Sequence, residues 1–322
     1  MTINRSMISV VTPAYNEEGN LEVFYERTRA TLEQCDLSWE IIFSIDPSTD
    51  RTEEILKSLN KRDPRVKVIR MSRRFGQHMA AIAGMEVSKG DVVVVIDCDL
   101  QDPPELIKEM VDKWRMGYDV VYAQRRSRAG EFLTKRLASA LFYKVIRRVS
   151  DLDIPKNTGD YRLMTRRVVN HLVSLKESHG FWRGLVAFVG FPQIAVEYDR
   201  EVRMSGSGKY NRYFGSATGA IGAFVGFSRY PLRAVSFLGL VVSAGSFIIA
   251  MVYLSLKLDG FAKFPIGNPT IVISVMFLGG VQLLSIGVIG EYVGRIYDEV
   301  RERPRYIVES RIGWDADACT QE

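Results

Sequence analysis

The chain has 322 residues, 47% of them hydrophobic and 25% charged, with 43 Lys and Arg against 38 Asp and Glu, a net charge of +5 with His neutral. These proportions exclude a disordered tail or a collagen-like fibre, and the length is enough for two units. A pI near 9.0 favours an anionic partner without choosing among nucleic acid, phosphate and a membrane surface, while Cys35, Cys98 and Cys319 lie too far apart for a zinc site or a disulfide framework and fit a reducing compartment.

Up to about residue 228 charges are spread throughout, as in a water-soluble domain. Met1 to Val11 holds too short an apolar run for a signal peptide. Met7 to Val11 predicts a strand that runs into Thr12-Pro13-Ala14-Tyr15-Asn16-Glu17-Glu18, after which Leu21, Phe24 and Leu32 recur at helical spacing. Glu40 to Ile45 predicts a second strand, and Asp50 with Glu53 gives a capping-box pattern for the helix beginning there. Val66 to Met71 predicts a third strand, followed by an Ala-rich helix over Gln77 to Val87. The apolar run in Asp91 to Ile96 suits a strand covered on both faces. A helix from Pro104 to Met116, with Pro in its first turn, and a short strand from Asp119 to Ala123 follow. Strands alternating with helices predict a mostly parallel α/β sheet whose ligands sit beyond the carboxyl ends of the strands.

The stretch from Arg125 to Arg148 is basic, with Arg125, Arg126, Arg128, Lys135, Arg136, Lys144, Arg147 and Arg148. For most of these a solvated helix face is the better reading; Arg147 and Arg148 are candidates for an anionic membrane surface. The segment has few aromatics suited to base stacking, which speaks against nucleic acid. From Tyr210 to Val225 apolar residues recur every three or four positions, which predicts an interfacial helix over 209–230, or else a helix packed on the N-terminal domain.

Ala234 to Leu256 and Phe264 to Gly290 contain no Asp, Glu, Lys or Arg. Each exceeds the ~20 residues needed to cross ~30 Å of hydrocarbon, so 231–294 predicts a hairpin of two spans, at about 233–256 and 268–290. The alternative is a pair of buried core helices. Arg229, Arg233, Arg295, Arg301, Arg303 and Arg305 flank the pair, against Lys257 and Lys263 in its loop. That bias places both termini, and the N-terminal domain, in the cytoplasm, with 295–322 as a cytoplasmic C-terminal tail.

The predicted strand ends carry the chemistry. Pro13, Tyr15 and Glu17 follow the first, Asp46 ends the second, and Asp97-Cys98-Asp99, Gln101 and Asp102 follow the fourth. Carboxylates that converge at one sheet edge repel one another and call for a cation; hard oxygen ligands suit Mg²⁺ or Mn²⁺, which takes its remaining ligands from water and substrate phosphates. A bare DxD is weak by itself. Its place at the end of a buried strand, beside Asp46 and Glu17, makes a nucleotide diphosphate site the better reading.

Two strings are more specific: Val11-Thr12-Pro13-Ala14-Tyr15-Asn16-Glu17-Glu18-Gly19-Asn20 and Asp97-Cys98-Asp99-Leu100-Gln101-Asp102-Pro103-Pro104-Glu105. With Arg183-Gly184-Leu185 and the region of Lys209-Tyr210-Asn211, they resemble family 2 glycosyltransferases of GT-A fold, in the branch of dolichol-phosphate mannose synthase and bacterial polyprenyl-phosphate (bactoprenol) glucosyltransferases. The resemblance covers nearly the whole chain and implies a Rossmann-like catalytic domain over 1–208. It implies that Pro13, Tyr15, Glu17 and Asp46 line the nucleoside pocket, that Asp97 faces the ribose or diphosphate, and that Asp99 and Gln101 ligate the metal. By the same resemblance Arg125, Lys135 and Ser139 match positions that contact donor or acceptor phosphates, Arg203 matches a basic residue near the lipid phosphate, and Asp160 falls where the branch has an active-site carboxylate. Two departures stand on the nucleobase side: Ile45-Asp46-Pro47-Ser48 replaces Asp-Asp-Gly-Ser, and Arg73-Arg74-Phe75-Gly76-Gln77-His78 replaces a pattern with Asn before Phe.

A lipid phosphate is an anion at pH 7 and needs no strong base to attack an anomeric carbon. The departing nucleoside diphosphate is the harder problem, met by a metal at Asp99 assisted by Arg or Lys. Direct displacement with inversion follows, with Asp160 either orienting the acceptor or simply paired with Arg162 or Arg166. His78, His171 and His179 stand isolated in the sequence and read as structural. The expected activity is transfer of a hexose, glucose from UDP-glucose before GDP-mannose or a UDP-linked aminosugar, to undecaprenyl or a related polyprenyl phosphate at a bacterial plasma membrane. A processive polysaccharide synthase would need more spans and a QxxRW motif, and an inactive membrane scaffold or nucleotide sensor would not need Asp97, Asp99 and Gln101 together. Assembly as a homo-oligomer is left open.

Overall fold

In a computed structural model, residues 6–126, 158–175, 182–201, 230–258 and 269–314 are described. They fall into two compact units, one of 1–219 with 304–322 and one of 220–303. The first is built on an eight-stranded sheet of order β7-β5-β6-β4-β1-β2-β3-β8. Its strands are β1 (Met7–Ala14), β2 (Ser38–Ile45), β3 (Val66–Met71), β4 (Val92–Val95), β5 (Val120–Arg125), β6 (Thr158–Thr165), β7 (Gln193–Tyr198) and β8 (Val308–Ile312). Helices α1 (Leu21–Glu33), α2 (Thr52–Arg62), α3 (Gln77–Val87), α4 (Leu106–Arg115), α5 (Arg166–Ser174) and α6 (Trp182–Val189) accompany them.

The expected mostly parallel sheet is present, with β4, β1, β2 and β3 all parallel and β5 parallel to β7. Antiparallel β6 joins the two parallel groups, pairing with both β4 and β5. Alternation sorts the central strands between two faces. Ile8, Val10, Ile41, Phe43, Val92 and Val94 enter one core with Leu21 and Phe24 of α1, Leu56 of α2 and Ile107 of α4. Phe24 meets Phe43 edge-on at 6.1 Å between centroids. On the opposite face Val11 and Ser44 lie directly under Gly84 of α3, so closely that a Cβ there would stand 2.4 Å from Val11 Cγ1. The glycine is what lets an Ala-rich helix sit down on the strands.

Several boundaries differ from expectation for local reasons. β1 runs on through Pro13. The Val11 carbonyl accepts the Ile96 N–H at 3.1 Å, so Pro13, two residues on, faces the same side after β4 has ended, where its missing N–H leaves no ladder bond unmade. The Asp50/Glu53 capping box does not form. The Asp50 carboxylate accepts the amides of Thr52 (3.0 Å) and Glu18 (3.1 Å), while Glu53 pairs with Lys57 and Arg70. Asp50 thus ties the start of α2 to the loop after β1. Pro104 precedes α4: its carbonyl and that of Pro103 accept the Ile107 and Leu106 amides, at 3.0 and 3.2 Å, in a turn leading into the helix.

Part of the expected C-terminal tail is a strand instead. β8 pairs antiparallel with β3 along the sheet edge, and the Ser72 N–H donates to the Ile307 carbonyl at 2.9 Å. Arg305 donates to the carbonyls of Leu175 (2.6 Å) and Val173 (2.7 Å) at the end of α5, where a cation is favoured.

The second unit holds α7 (Tyr230–Leu258, 29 residues) and α8 (Pro269–Val300, 32 residues). Their lengths correspond to about 44 and 48 Å at 1.5 Å per residue. Within them Tyr230–Ile249 and Ser274–Val300, of mean hydropathy 1.9 and 1.5, are long and apolar enough to cross a membrane. Neither window is buried, which is not how a pair of soluble-core helices looks. The charge-free run ends at Gly290, and the last part of α8 carries Glu291 and Arg295 as an i,i+4 pair at 3.1 Å. The interfacial helix expected over 209–230 lies, except for Tyr230, outside the described residues.

Candidate active site

The loops after β1 and β2 are laced together. Asn16 takes a positive φ of 53°, which Asn tolerates, and its side chain both accepts from the Thr49 N–H (2.7 Å) and donates to Thr49 Oγ1 (3.1 Å). The Glu17 N–H donates to Thr52 Oγ1 at 2.9 Å, and the Glu17 carboxylate accepts from Asn20 Nδ2 at 2.6 Å. Asp46 is buried, 3% exposed, and accepts the Phe75 and Gly76 amides at 3.1 and 3.0 Å. Gly76 has φ +92°, a conformation that suits glycine, and α3 begins directly after it. Around this loop the Arg74 guanidinium lies over the Tyr15 ring at 4.3 Å and that of Arg73 over Phe75 at 4.1 Å. Tyr15, Glu17 and Asp46, expected near a nucleoside, therefore stand at neighbouring strand ends, and Asp46 also fixes where α3 starts.

The carboxyl end of β4 is acidic. Asp97 Oδ1 accepts from Gln77 Nε2 at 2.7 Å; burial, reinforced by the charges of Asp160, Asp99 and Asp102, pushes its carboxyl well above the ordinary range. Asp99 Oδ1 accepts the Gln101 N–H at 3.1 Å, and the Gln101 carbonyl accepts the Glu201 N–H at 3.0 Å. Asp102 is buried, accepts the Tyr198 hydroxyl, and has Arg125 and Arg200 each at 3.8 Å. Arg125 Nε also donates to the Tyr198 hydroxyl at 3.1 Å. Arg125 is therefore the last residue of β5, fixed by β7, rather than part of a solvated basic face.

Asp160 arrives from β6. The antiparallel register sets Arg162 opposite Val95, so Asp160, two residues earlier, lies level with Asp97 just past the end of β4. Its Oδ1 accepts from Arg183 Nε at 3.2 Å and its Oδ2 lies 3.3 Å from His78 Nε2. Burial works to raise this carboxyl, but the His78 hydrogen bond and the charges of Arg183, His78 and Arg162 outweigh it and hold it well below the usual range. Arg162 is itself buried, donates to the Gly159 carbonyl at 2.9 Å, and is lowered to about 10 chiefly by burial.

Two expectations change here. Of the arginines expected to pair with Asp160, Arg166 turns away to the Gly90 carbonyl and Ser88, both at 2.9 Å, and Arg162 acts on Asp160 through its charge. Arg183 and His78 are the direct partners. His78 is not isolated but meets the site. Its signal in the sequence was its position, in the first turn of the helix after the divergent Arg73–Gly76 stretch. Tyr198 and Arg200 had no such signal, since they reach Asp102 only through the parallel pairing of β7 with β5.

Among the described residues no three His, Cys, Asp or Glu side chains converge as a ready-made metal shell. The donors at hand are hard oxygens, with Asp99, Asp102 and Asp160 all acting on the buried Asp97 through their charges, and they fit a divalent cation that completes its shell with phosphate and water. Lys135, Ser139 and Arg203 lie outside the described residues.

Residues 9–173 match the family model "Glycosyl transferase family 2". An uncharacterised glycosyltransferase of Bacillus subtilis, YkcC, is 45% identical over 307 residues, 95% of this chain and 94% of its own length. The bactoprenol glucosyl transferase of Shigella phage SfX is 39% identical over 304 residues, 94% of this chain and 99% of its own. Among solved structures, mannosyl-3-phosphoglycerate synthase from Rubrobacter xylanophilus is similar at 15% identity over 82% of this chain and 79% of its own, with a TM-score of 0.46, too distant a likeness to carry any residue across.

Proposed function

The chain belongs to glycosyl transferase family 2 and is a glycosyltransferase, and from that premise we propose that it is an enzyme of GT-A fold that transfers a hexose, glucose from UDP-glucose, to a polyprenyl phosphate such as undecaprenyl phosphate at the cytoplasmic face of a membrane. The observation that carries the reading is that the register of β6 sets Asp160 level with Asp97 just beyond β4, where Asp99 also acts on Asp97 through its charge, in a chain that also has two helices apolar enough to anchor it in a bilayer. The resemblance to the phage bactoprenol enzyme over nearly its whole length supports the lipid acceptor.

Tyr15, Glu17 and Asp46, together with Pro13, take the nucleoside, with Arg74 stacked on Tyr15 closing that side. Asp97 faces the ribose or diphosphate. Asp99 and Gln101 hold Mg²⁺ or Mn²⁺, which when bound neutralises the charge of the departing diphosphate. Arg125 adds positive charge at the phosphates, and Lys135, Ser139 and Arg203 serve the acceptor. The lipid phosphate attacks as the anion it already is, with inversion at the anomeric carbon. Asp160 is held ionised with one oxygen on Arg183 and the other on His78, an arrangement suited to orienting cations and the acceptor rather than to taking a proton.

The membrane topology has a separate support. β7 precedes the two long helices and β8 follows them, yet both belong to one sheet. A chain that crosses twice and returns to the same body would have both flanks on one side, and the six flanking arginines against two loop lysines support the cytoplasm as that side.

The test is to incubate the full chain in nanodiscs with UDP-glucose, GDP-mannose or UDP-aminosugars, Mg²⁺ or Mn²⁺, and undecaprenyl phosphate. A lipid carrying one sugar, with the anomeric configuration opposite to the donor's, supports the reading, and Asp99→Ala should abolish it while the protein stays folded. A polymer, or no transfer from any donor, would refute it.

A further inference from the structure

The first turn of α3 touches two carboxylates that come from different strands. Gln77 Nε2 donates to Asp97 Oδ1 at 2.7 Å, and the next residue, His78, places Nε2 at 3.3 Å from Asp160 Oδ2. The turn is itself anchored, because Asp46 binds the Phe75 and Gly76 amides that lead into it. The helix start also favours nearby negative charge.

We infer that His78 is a positioning residue for the transfer reaction: with Arg183 on the opposite oxygen, it fixes the rotation of the Asp160 carboxylate beside Asp97, and so sets the place of the acceptor relative to the donor. The inference rests on the lipid-acceptor reading above. An ionised carboxylate has no proton to give, so the hydrogen bond requires the proton on His78 Nε2. In the neutral ring Nδ1 is then the acceptor, on the far side from Asp160. The His78 side chain is 45% exposed while that of Asp160 is 19% exposed, so the imidazole is an outer brace on an inner carboxylate and not a core histidine satisfying itself. Arg183, 30% exposed, is the other brace. Neither brace alone fixes the carboxylate plane; one bond to each oxygen does.

The test pairs kinetics with a spectrum. A misplacement of this kind lowers turnover by about 10–100-fold, so His78→Ala should lose kcat by that factor, with KM for the nucleotide sugar within about threefold of wild type. His78→Gln, whose amide can donate to the same oxygen, should recover most of the loss. In ¹⁵N spectra of the full chain, the histidine signal missing from His78→Gln should show an Nε2–H ring, and should shift in Asp160→Asn. Wild-type kcat in His78→Ala would overturn the inference. So would a loss that Gln does not rescue and that tracks a lowered melting temperature, or an imidazole signal indifferent to Asp160→Asn. Failure of the wild-type protein to glycosylate any lipid phosphate would instead overturn the acceptor reading, and the imidazole signal would still decide whether the brace exists.

Discussion

Gly84 offers the most direct test of how α3 is seated. A Cβ at this position would lie 2.4 Å from Val11 Cγ1 and 2.6 Å from Ser44 Oγ, and both of those residues are fully buried. Carbon contacts settle at about 3.5–4.0 Å, so the helix must lift by roughly an ångström or two central strands must part. Overpacking of this kind costs about 1–3 kcal/mol. Removing a mid-helix glycine returns up to about 1 kcal/mol in propensity when Ala replaces it, and less for a β-branched residue. Gly84→Ala is therefore expected to be mildly destabilising, and Gly84→Val, with two more methyl groups in the same gap, to cost about 2–3 kcal/mol. For a unit of this size each kcal/mol lowers Tm by about 2–4 °C, which gives a fall of about 4–12 °C. The melt can be followed by tryptophan fluorescence in detergent. Because the same helix carries Gln77 and His78, turnover should fall with it. A Gly84→Val protein melting at or above the wild-type temperature would refute the close seating.

Lys67 Nζ reaches Glu40 Oε2 at 2.7 Å, with the Glu40 side chain only 2% exposed, so Lys67→Met strands a buried carboxylate and should cost about 3–5 kcal/mol in denaturant titrations at neutral pH. That deficit should shrink on acidification, as the unpaired Glu40 takes up a proton. In the wild-type protein, burial works to raise the Glu40 and Asp63 carboxyls but their hydrogen bonds from Lys67 and Arg65 outweigh it, and the Arg167 hydrogen bond lowers Asp119. Carboxyls depressed in the folded state stabilise it above their unfolded pKa values of about 4 and lose that contribution as pH falls further. The raised Asp97 carboxyl acts the other way, adding stability as it takes up its proton. Stability should therefore not fall from pH 7 to about 5 and should decline below about 4, less steeply in Arg167→Ala; a decline beginning near pH 6 would contradict this. A chain ending at Arg303 lacks β8 and bares the edge of β3. It should self-associate in light scattering, and a monodisperse, wild-type-like product would argue that β8 is dispensable.

The parallel centre of the fold was legible because its signals are local. β3 and α3 fall at the expected residues, since an apolar run and an Ala-rich run each end at a turn. The Asp97–Asp102 string was legible for the same reason: its residues are neighbours in sequence and stay so in space. What escaped depends on pairings between distant segments. Asp160 could be named, but its partners could not, because they follow from the antiparallel entry of β6 beside β4 and from α6 bringing Arg183 across. His78 was misjudged because an exposed helix residue gives no hint of what another strand will set beside it. β8 was missed because it is an edge strand carrying Glu309 and Arg311, and charge on edges blurs the alternation that marks interior strands.

β8 also imposes an order on synthesis. The sheet's last strand leaves the ribosome after both long helices, so the nascent N-terminal body waits with β3 open along one side while more than half the protein is still being translated. At about 5–20 residues per second the wait is on the order of ten seconds or more, long enough for an unpaired edge to find a wrong partner. The catalytic body can thus be finished only by a chain whose apolar helices have already been made, and a product truncated within them is left with an open sheet.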